Sequence, residues 1–370
     1  MSEDATTPTT AIPLRWALVG ASDIAATRVL PAIRAAGGEA VVVRSGSAEH
    51  AAAFAARHSI AASTTDLAAA VERDDVDAVY ISSVNQQHLD HLLAACRAGK
   101  HVLAEKPLAL TLDDARTMVL AARQAGVVMA TNHHLPASPT HRAMKQAVAA
   151  GLIGEVRAVR VAHAVQLPPR LVGWRVQDPA GGGVVLDVTV HDAAAVRALL
   201  GSPARSVTAQ ALAQDNLPGN GSGGNGSGGG GSAEVPEDAV VTTAVWASPT
   251  GGPDILVQTH DAYNNAHLPT GLHILGTEGA LVGENCNTGD PVGSVTLWRG
   301  NGTDHRGEPV DVGPRTDLYL TTVRAFTAAV QGEGTVVVSG EDGVASLAVS
   351  LAVQESLRTG RRVEVEPVGL

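Results

Sequence analysis

The first third of the chain alternates between short β-branched runs and alanine-rich helical segments, and this rhythm constrains the fold more than any other feature. Runs that predict strands lie at residues 15–19, 40–43 and 77–83 and in "HVLAE" and "VVMATN". Helical patterns lie between them, near residues 24–36, 89–98 and 113–125. The predicted strands are apolar throughout rather than alternating, as in a parallel sheet covered on both faces. The pattern therefore predicts a doubly wound α/β domain.

The first predicted strand ends in "GASDIA", residues 20–25. A dinucleotide fingerprint needs a glycine for the tight turn, a small residue beside the pyrophosphate, and another where helix meets strand. Gly20, Ser22 and Ala25 stand at these positions, at a strand-to-helix junction whose amides attract phosphate. The alternative is a turn with only a structural role. If the loop binds a dinucleotide, the contacts come from Gly20, Ala21, Ser22, Asp23 and Ile24.

The rhythm changes after about residue 132, where strand patterns follow one another with few helices between them. This predicts an α+β part with a mostly antiparallel sheet. A chain of 370 residues exceeds the usual size of a single core. The predicted fold class is α/β, with an N-terminal Rossmann dinucleotide-binding domain and a C-terminal α+β domain with a mostly antiparallel open sheet. We expect a disordered tail at 1–13, the Rossmann domain at 14–132 and the substrate domain at 133–370.

A glycine- and serine-rich stretch, "PGNGSGGNGSGGGGS", interrupts the second part. It has no side chain to bury and much backbone entropy to lose on ordering. Apolar strand patterns resume beyond it, so it is interpreted as a flexible insertion at about 216–234 inside one domain, not as a boundary.

Composition excludes several classes of partner. The formal net charge is −11 and there is no long basic run, which argues against nucleic acid and anionic membranes. Cys96 and Cys286 have no ligand spacing, so neither a disulfide framework nor a metal site is predicted. The start lacks the pattern of an export signal, and the apolar run at 344–353 is too short to span a bilayer. We expect a cytoplasmic protein that acts on a small molecule.

The end of the second predicted strand bears on the choice of cofactor. NAD enzymes place a carboxylate there, on the ribose hydroxyls. Here Arg44 and Ser45 occupy the region and no acid follows until Glu49. A guanidinium and a hydroxyl suit a 2′-phosphate, so NADP(H) is favoured and NAD(H) remains possible. The alternative for Arg44 is an exposed arginine at a strand end.

The stretch "VLAEKPLAL" ends an apolar strand with Glu-Lys-Pro. An unpaired buried ammonium is costly, so a lysine held there is expected to have a chemical role. The alternative is that the strand stops at Glu105, that Lys106 reaches solvent and that Pro107 marks a turn. Ligands bind outside the carboxyl ends of parallel strands, where both "AEKP" and "SSVNQQH" are predicted to lie.

Taken in order, "GASDIA", "SSVNQQH", "AEKPLAL", "TNHH" and "LDVTVHD" resemble the glucose-fructose oxidoreductase / inositol dehydrogenase / MocA family. The resemblance covers nearly the whole chain. Each segment alone has modest specificity, but their order and spacing together are highly specific.

The resemblance implies a catalytic group. Lys106 would be the charge at the substrate oxygen, His191 the proton donor and Asp187 their hydrogen-bonding neighbour. Asp187 and His191 stand four residues apart, so on a helix they share one face. Without the family, a helix start and a satisfied histidine would be the simpler interpretation. The Lys106–Pro107 bond would be cis.

The resemblance also implies further contacts. Those at the nicotinamide-ribose end are Asn85, His88, Glu105 and Asn132, with Tyr319 approaching from the later domain. Those that hold substrate or cofactor are His163, Trp174 and Arg175. The alternative for Trp174 is a core position.

Two positions depart from related reductases of the family. His50 stands where they have an arginine on the 2′-phosphate, and Pro136 replaces another arginine near the site. We expect an NADPH-dependent reductase of a sugar-derived ketone, with an anhydroketose as the leading substrate. An inositol or polyol dehydrogenase is the alternative, and a non-catalytic NADP(H)-sensing regulator is the alternative of another class. A homo-oligomer formed through the C-terminal sheet is a further expectation.

Overall fold

The computed structural model describes residues 12–178, 180–214, 236–300 and 302–370. The predicted tail at 1–13 therefore lies outside the described residues except for Ile12 and Pro13. The predicted insertion at 216–234 lies wholly outside them.

The first sheet has six parallel strands in the order β3-β2-β1-β4-β5-β6. They are β1 (Arg15–Val19), β2 (Glu39–Arg44), β3 (Ala62–Thr64), β4 (Ala78–Ile81), β5 (His101–Ala104) and β6 (Met129–Thr131). The strand order reverses between β1 and β4, which pair directly. Such a switch point opens a crevice at the carboxyl ends of the strands. The predicted Rossmann domain is confirmed.

Helices cover this sheet: α1 (Leu30–Ala35), α2 (Ala48–His58), α3 (Leu67–Val71), α4 (His88–Arg97) and α5 (Leu112–Ala125). Ser47, Asp66 and Thr111 cap α2, α3 and α5 with side-chain oxygens. The predicted first helix opens as a π-turn at Ala25–Val29 before α1. Pro31 has no N–H to donate to the preceding turn, which favours this opening.

The second sheet has nine strands in the order β14-β13-β12-β11-β7-β10-β9-β8-β15. They are β7 (Val156–Ala164), β8 (Ala204–Leu212), β9 (Ala239–Trp246), β10 (Ile255–Ala262), β11 (Gly271–Gly276), β12 (Ala280–Glu284), β13 (Ser294–Arg299), β14 (Arg306–Pro309) and β15 (Val363–Glu364). In the described part of this sheet β7 and β10 are parallel and the other pairs are antiparallel. The predicted mostly antiparallel sheet is confirmed.

The remaining helices are α6 (Pro139–Ala149), α7 (Trp174–Gln177), α8 (Val190–Leu200), α9 (Leu318–Val330) and α10 (Gly340–Thr359). A π-turn, Val185–Thr189, leads into α8. One face of the second sheet packs on helices, since Ile255 and Val257 share a core with Val196 of α8 and Val353 of α10. The intervening Leu256 is exposed.

The two C-terminal helices also pack on the first sheet. Phe326 of α9 lies 5.3 Å from Trp16 of β1, measured between ring centroids. Leu347 of α10 shares a core with Val79 of β4. These contacts pack the two C-terminal helices against the first sheet, while the predicted domain boundary at 132 stays a prediction. No helix among the described residues is long and apolar enough to cross a membrane.

Candidate active site

A cavity of about 1050 Å³ lies where the carboxyl ends of the first sheet face the second sheet. Its walls include most of the predicted site residues: Ser22, Asp23, Ile24, Asn85, Glu105, Lys106, Asn132, His163, Trp174, Arg175, Asp187, His191 and Tyr319. Gly20, Ala21, Arg44, Ser45, His50 and His88 are not among the described residues that line it. The structure thus gathers residues distant in sequence around one space.

The backbone of the turn after β1 passes very close to the backbone that follows β4. Gly20 has φ +126°, and a Cβ there would lie 2.5 Å from the carbonyl carbon of Ser82, the residue that follows the neighbouring strand β4. Ser22 Oγ accepts from the Ala25 amide at 3.2 Å and donates to Ser82 Oγ at 2.8 Å. At position 20, only a glycine fits this backbone conformation without a clash. Asp23 and Ile24, at the start of the helical segment, line the cavity beyond the turn.

The residues predicted to choose the cofactor lie beside this turn. The Gly20 amide donates to the carbonyl oxygen of Arg44 at 3.0 Å. The Arg44 guanidinium donates to the carbonyl of Thr65 at 3.2 Å, and Ser45 Oγ lies 3.3 Å from His50 Nδ1. A guanidinium, a hydroxyl and an imidazole therefore lie at or just after the end of β2, next to the fingerprint, and none of the three is among the described residues that line the cavity.

Lys106 projects from the end of β5 into the cavity wall. Its Nζ donates to the carbonyl oxygen and to Oδ1 of Asp187, both at 2.6 Å. The Lys106 side chain is 12% exposed, so the lysine does not reach solvent as the simpler alternative required. The peptide bond between Lys106 and Pro107 is cis, as the family resemblance implies.

Asp187 organises the charges around Lys106. Its Oδ2 accepts from Arg175 Nε at 2.9 Å and from the Tyr263 hydroxyl at 2.9 Å. Burial by itself raises the pKa of Asp187, but Lys106 and Arg175 outweigh it and hold that pKa well below its usual range. The group is therefore a permanent carboxylate, and it keeps Lys106 in place.

His191 belongs to a cluster of imidazoles. Its Nδ1 lies 3.1 Å from His133 Nδ1, and His133 Nε2 lies 3.1 Å from Ser346 Oγ. The ring of His134 lies 4.6 Å from that of His191 and stacks on Tyr319 at 5.3 Å. Burial, with Lys106 nearby, holds the pKa of His191 well below its usual value. The cluster is neutral at physiological pH.

Glu105 and Asn132 form the wall beside Lys106. Glu105 Oε1 accepts from the Tyr80 hydroxyl at 2.6 Å and from Asn132 Nδ2 at 2.5 Å, and burial raises the pKa of Glu105. The Oδ1 atom of Asn132 is buried and has no hydrogen-bond donor in the described part of the chain. A nicotinamide or ribose group bound here would supply one, so these residues fit the predicted dinucleotide.

The predicted substrate residues also line the cavity. His163 Nδ1 lies 2.7 Å from Oδ1 of Asp192. Arg175 lies 4.6 Å above the Trp174 ring, and Trp174 is 40% exposed. Trp174 is therefore a rim residue rather than a core residue, and the guanidinium that stacks on it also binds Asp187.

Two residues of the "SSVNQQH" segment have different surroundings. Asn85 lines the cavity, and its Nδ2 donates to the carbonyl of Gly181 at 3.4 Å. His88 is fully buried, with Nδ1 3.1 Å from the carbonyl oxygen of Pro107 and Nε2 3.1 Å from that of Ser83. The structure places His88 behind the wall, where it supports the turn that carries Lys106 instead of facing a cofactor.

Sequence reasoning missed several groups. Asp261 and Tyr263 stand in "VQTHDAYNN", among several other polar residues, and nothing local distinguishes them from these neighbours. His133 and His134 stood inside a quoted motif, and their adjacency to a strand end was a signal that could have found them. No group of side chains suited to a metal ion occurs among the described residues.

Two models of one protein family match most of the chain. The GFO_IDH_MocA model, described as an oxidoreductase family with an NAD-binding Rossmann fold, matches residues 14–133. The GFO/IDH/MocA C-terminal domain model matches residues 141–282. Together the two models cover well over half of the chain.

Individual relatives are oxidoreductases that act on sugars. The 1,5-anhydro-D-fructose reductase of Ensifer adhaerens is 46% identical over 353 residues, which are 95% of this chain and 98% of that protein. The dTDP-3,4-didehydro-2,6-dideoxy-alpha-D-glucose 3-reductase of Streptomyces violaceoruber is 32% identical and covers 87% of this chain and 86% of its own length.

Among solved structures, levoglucosan dehydrogenase in complex with NADH and L-sorbose superposes with a TM-score of 0.80. It is 22% identical, and the match covers 96% of this chain and 100% of that one. At this identity the likeness shows the fold alone.

Proposed function

The chain belongs to the GFO/IDH/MocA family of NAD(P)-dependent oxidoreductases, and on that premise we propose that it reduces the ketone of 1,5-anhydro-D-fructose to 1,5-anhydro-D-mannitol with NADPH. One observation carries the proposal. A buried ammonium, Lys106, is held on a permanent carboxylate at the wall of a large cavity, beside His191. That arrangement suits a reaction in which negative charge forms on a carbonyl oxygen.

Lys106 polarises the carbonyl. An ammonium has three N–H donors, and two of them are bound to Asp187. The third is left for the substrate oxygen. A bound nicotinamide supplies the hydride, and the negative charge that then develops on oxygen is stabilised by the fixed ammonium in a site with little water.

His191 handles the proton. The Ser346 hydroxyl donates to the carbonyl of Gly343, so it accepts from His133 Nε2–H. The Nδ1 of His133 is then an acceptor, and Nδ1–H of His191 donates to it. This network leaves Nε2 of His191 to exchange a proton with the substrate oxygen. In the neutral cluster Nε2 is an acceptor, so His191 must take up a proton from solvent before it can protonate the alkoxide, and this requirement favours reduction at lower pH.

The proposal also assigns contacts with the cofactor and the sugar. The fingerprint residues 20–24 would hold the pyrophosphate, and Arg44, Ser45 and His50 would hold the 2′-phosphate. Asn85, Glu105, Asn132 and Tyr319 would hold the nicotinamide end. His163, Trp174 and Arg175 would hold the sugar hydroxyls and ring. His88 enters this proposal only through the turn that it supports.

The test is a substrate panel in which loss of NADPH absorbance is followed with 1,5-anhydro-D-fructose, other ketoses and buffer alone. We expect the anhydroketose to give the highest kcat/KM and the mannitol epimer to be the product by NMR. Faster oxidation of myo-inositol or another polyol with NADP⁺ would favour the dehydrogenase alternative. Tight NADPH binding without turnover on any sugar would favour the sensing regulator.

We also propose that two copies associate through the open face of the second sheet. Leu212, Val241 and Leu256 are more than half exposed there, at 63%, 53% and 55%, on three neighbouring strands. Exposed apolar side chains on neighbouring strands favour an interface, with the exposed Thr243, Gln258 and Arg160 among their neighbours. A Val241→Glu, Leu256→Glu variant should elute as a monomer in light-scattering chromatography. An unchanged mass would refute the interface.

We propose a cytoplasmic site of action, because both described cysteines, Cys96 and Cys286, are buried free thiols.

A further inference from the structure

A pair of buried carboxyl groups lies behind the cavity wall and has no part in the mechanism above. Asp192 in α8 and Asp261 in β10 are both 0% exposed. Asp261 is in register with His163 on the parallel neighbour β7, so both side chains lie on the sheet face that α8 covers. Three polar groups from three elements therefore meet in the core.

One oxygen of each carboxyl group lacks a hydrogen-bond partner in the described part of the chain. Asp192 Oδ1 lies 2.7 Å from His163 Nδ1, and Asp261 Oδ2 accepts from the hydroxyls of Thr189 at 2.6 Å and Thr259 at 3.0 Å. The other two oxygens, Asp192 Oδ2 and Asp261 Oδ1, are buried and have no hydrogen-bond partner among the described residues. One proton held between these two oxygens would satisfy both, because a carboxyl group donates only when it is protonated.

The pair retains this proton at neutral pH. Burial raises the pKa of Asp192 to about 7 and that of Asp261 well above its usual value. Whichever carboxyl group carries the proton, Asp192 Oδ1 is left to accept from His163 Nδ1–H. Burial lowers the pKa of His163 to about 4, so the ring is neutral and its Nε2 has a free lone pair. No described residue bonds to Nε2, and the ring lines the cavity.

We propose that Asp192 and Asp261 are positioning residues that share one proton and fix His163 with Nε2 as an acceptor, so that the site selects ketones whose hydroxyl group donates to it. This inference rests on the proposed function and deepens it. A ketone without that hydroxyl would leave a buried acceptor unpaired, which a site built for hydrogen bonding rejects.

Two substitutions of the same position separate this role from a structural one. Asp192→Asn keeps an oxygen for Nδ1–H and supplies an N–H to Asp261, so it replaces the shared proton. Asp192→Leu has a similar shape and no acceptor. We expect the Asn variant to stay within about threefold of the parental KM for the ketone, and the Leu variant to raise it about tenfold or more, with NADPH affinity unchanged in both. An Asn variant as impaired as the Leu variant, or a Leu variant with parental KM, would overturn the proposal.

A second measurement needs no variant to be active. In ¹⁵N-histidine-labelled parent protein, the His163 signals are identified by their loss in His163→Gln. We expect the ring proton on Nδ1, and a proton on Nε2 would refute the proposal even if Asp192→Leu does not fold. This readout involves no substrate, so a confirmed tautomer in a protein that reduces no sugar ketone would contradict the proposed function and leave the proton-sharing pair standing.

Discussion

Lys106 shows at the residue scale how an expensive buried charge is retained. Its ammonium is surrounded by the carboxylate and the carbonyl oxygen of one residue, Asp187, which is itself held by Arg175 and Tyr263. A buried charge is tolerated when it is paired and hydrogen-bonded. The pairing also means that Asp187 keeps two partners if the lysine is removed.

We predict that Lys106→Met keeps the fold and binds NADPH within a few-fold of the parent, because Arg175 and Tyr263 still hold Asp187. Turnover should fall by about 10²–10³, the scale of one lost preorganised donor. Stopped-flow and steady-state assays measure both effects. Adding His191→Ala should cost less than the product of the two single losses, since both groups act on one oxygen.

The matched control is Lys100→Met. Lys100 Nζ also donates to two carbonyl oxygens, those of Arg73 and Val76 at 2.9 Å, but away from the cavity. This variant should keep parental turnover even if it lowers the melting temperature. Parental turnover in Lys106→Met on every ketone that the parent reduces would leave the lysine only a strand-end charge.

Arg44 carries a prediction about cofactor choice. Arg44→Ala should raise the KM for NADPH by about tenfold or more and that for NADH much less, because only NADPH has the phosphate that a guanidinium binds. Initial rates with both cofactors test this. Arg57→Ala, an exposed arginine of α2, is the control and should change neither KM. Equal effects of Arg44→Ala on both KM values would show that Arg44 does not bind the 2′-phosphate.

At the scale of elements, the segment between β8 and β9 is the largest departure from compact structure that the sequence predicts. Leu212 at the end of β8 pairs with Ala239 at the start of β9, so the two strands form an antiparallel pair whose ends are adjacent. Glu237, close to β9, accepts from the Val185 amide through Oε1 at 3.0 Å. It thereby anchors the π-turn that carries Asp187.

We predict that replacing residues 216–234 with a short turn leaves the melting temperature within a few degrees and turnover nearly unchanged. Adjacent strand ends need no long connection, and loop closure depends only weakly on length. Thermal melts and kcat measure the outcome. Extending the deletion through Glu237 is the contrasting variant and should reduce activity, because it frees the start of the π-turn. Loss of both stability and activity in the shorter deletion would show that the segment is structural.

At the scale of the whole molecule, buried histidines set the response to pH. Burial lowers the pKa of many of them, to about 4 for His91, His141 and His163 and about 3 for His133. In the unfolded chain these histidines become protonated below about pH 6.5, while in the folded chain they stay neutral until the pH is much lower. Stability is therefore full above pH 6.5 and declines as the pH falls toward 4. Carboxyl groups whose pKa is raised by burial, such as Asp192, act in the opposite direction, but the described residues include fewer of them than of buried histidines.

We predict that the melting temperature falls steadily between pH 6.5 and pH 4.5, because unfolding is then accompanied by proton uptake. Differential scanning fluorimetry across this range measures it. Asp192→Asn removes one of the opposing groups and should steepen the fall. A stability maximum below pH 5 would contradict this account.

The sequence by itself determined the features that depend on local pattern. Apolar strands between alanine-rich helices predicted the parallel sheet, the turn at Gly20 predicted the fingerprint, and four-residue spacing placed Asp187 and His191 on one face. These follow from periodicity and from backbone conformations, which are properties of neighbouring residues. The family resemblance added the roles of the residues that match its motifs.

Only the tertiary structure decided which distant groups share protons and charges. Lys106 and Asp187 are 81 residues apart, and Arg175 and Tyr263 join them from different elements. His88 stood in a site motif, yet packing turned it toward carbonyl groups behind the wall. The partnership of Asp192, Asp261 and His163 arises because α8 lies across two parallel strands in a particular register. Such contacts depend on how elements pack, and packing is decided by the whole core rather than by any local stretch of sequence.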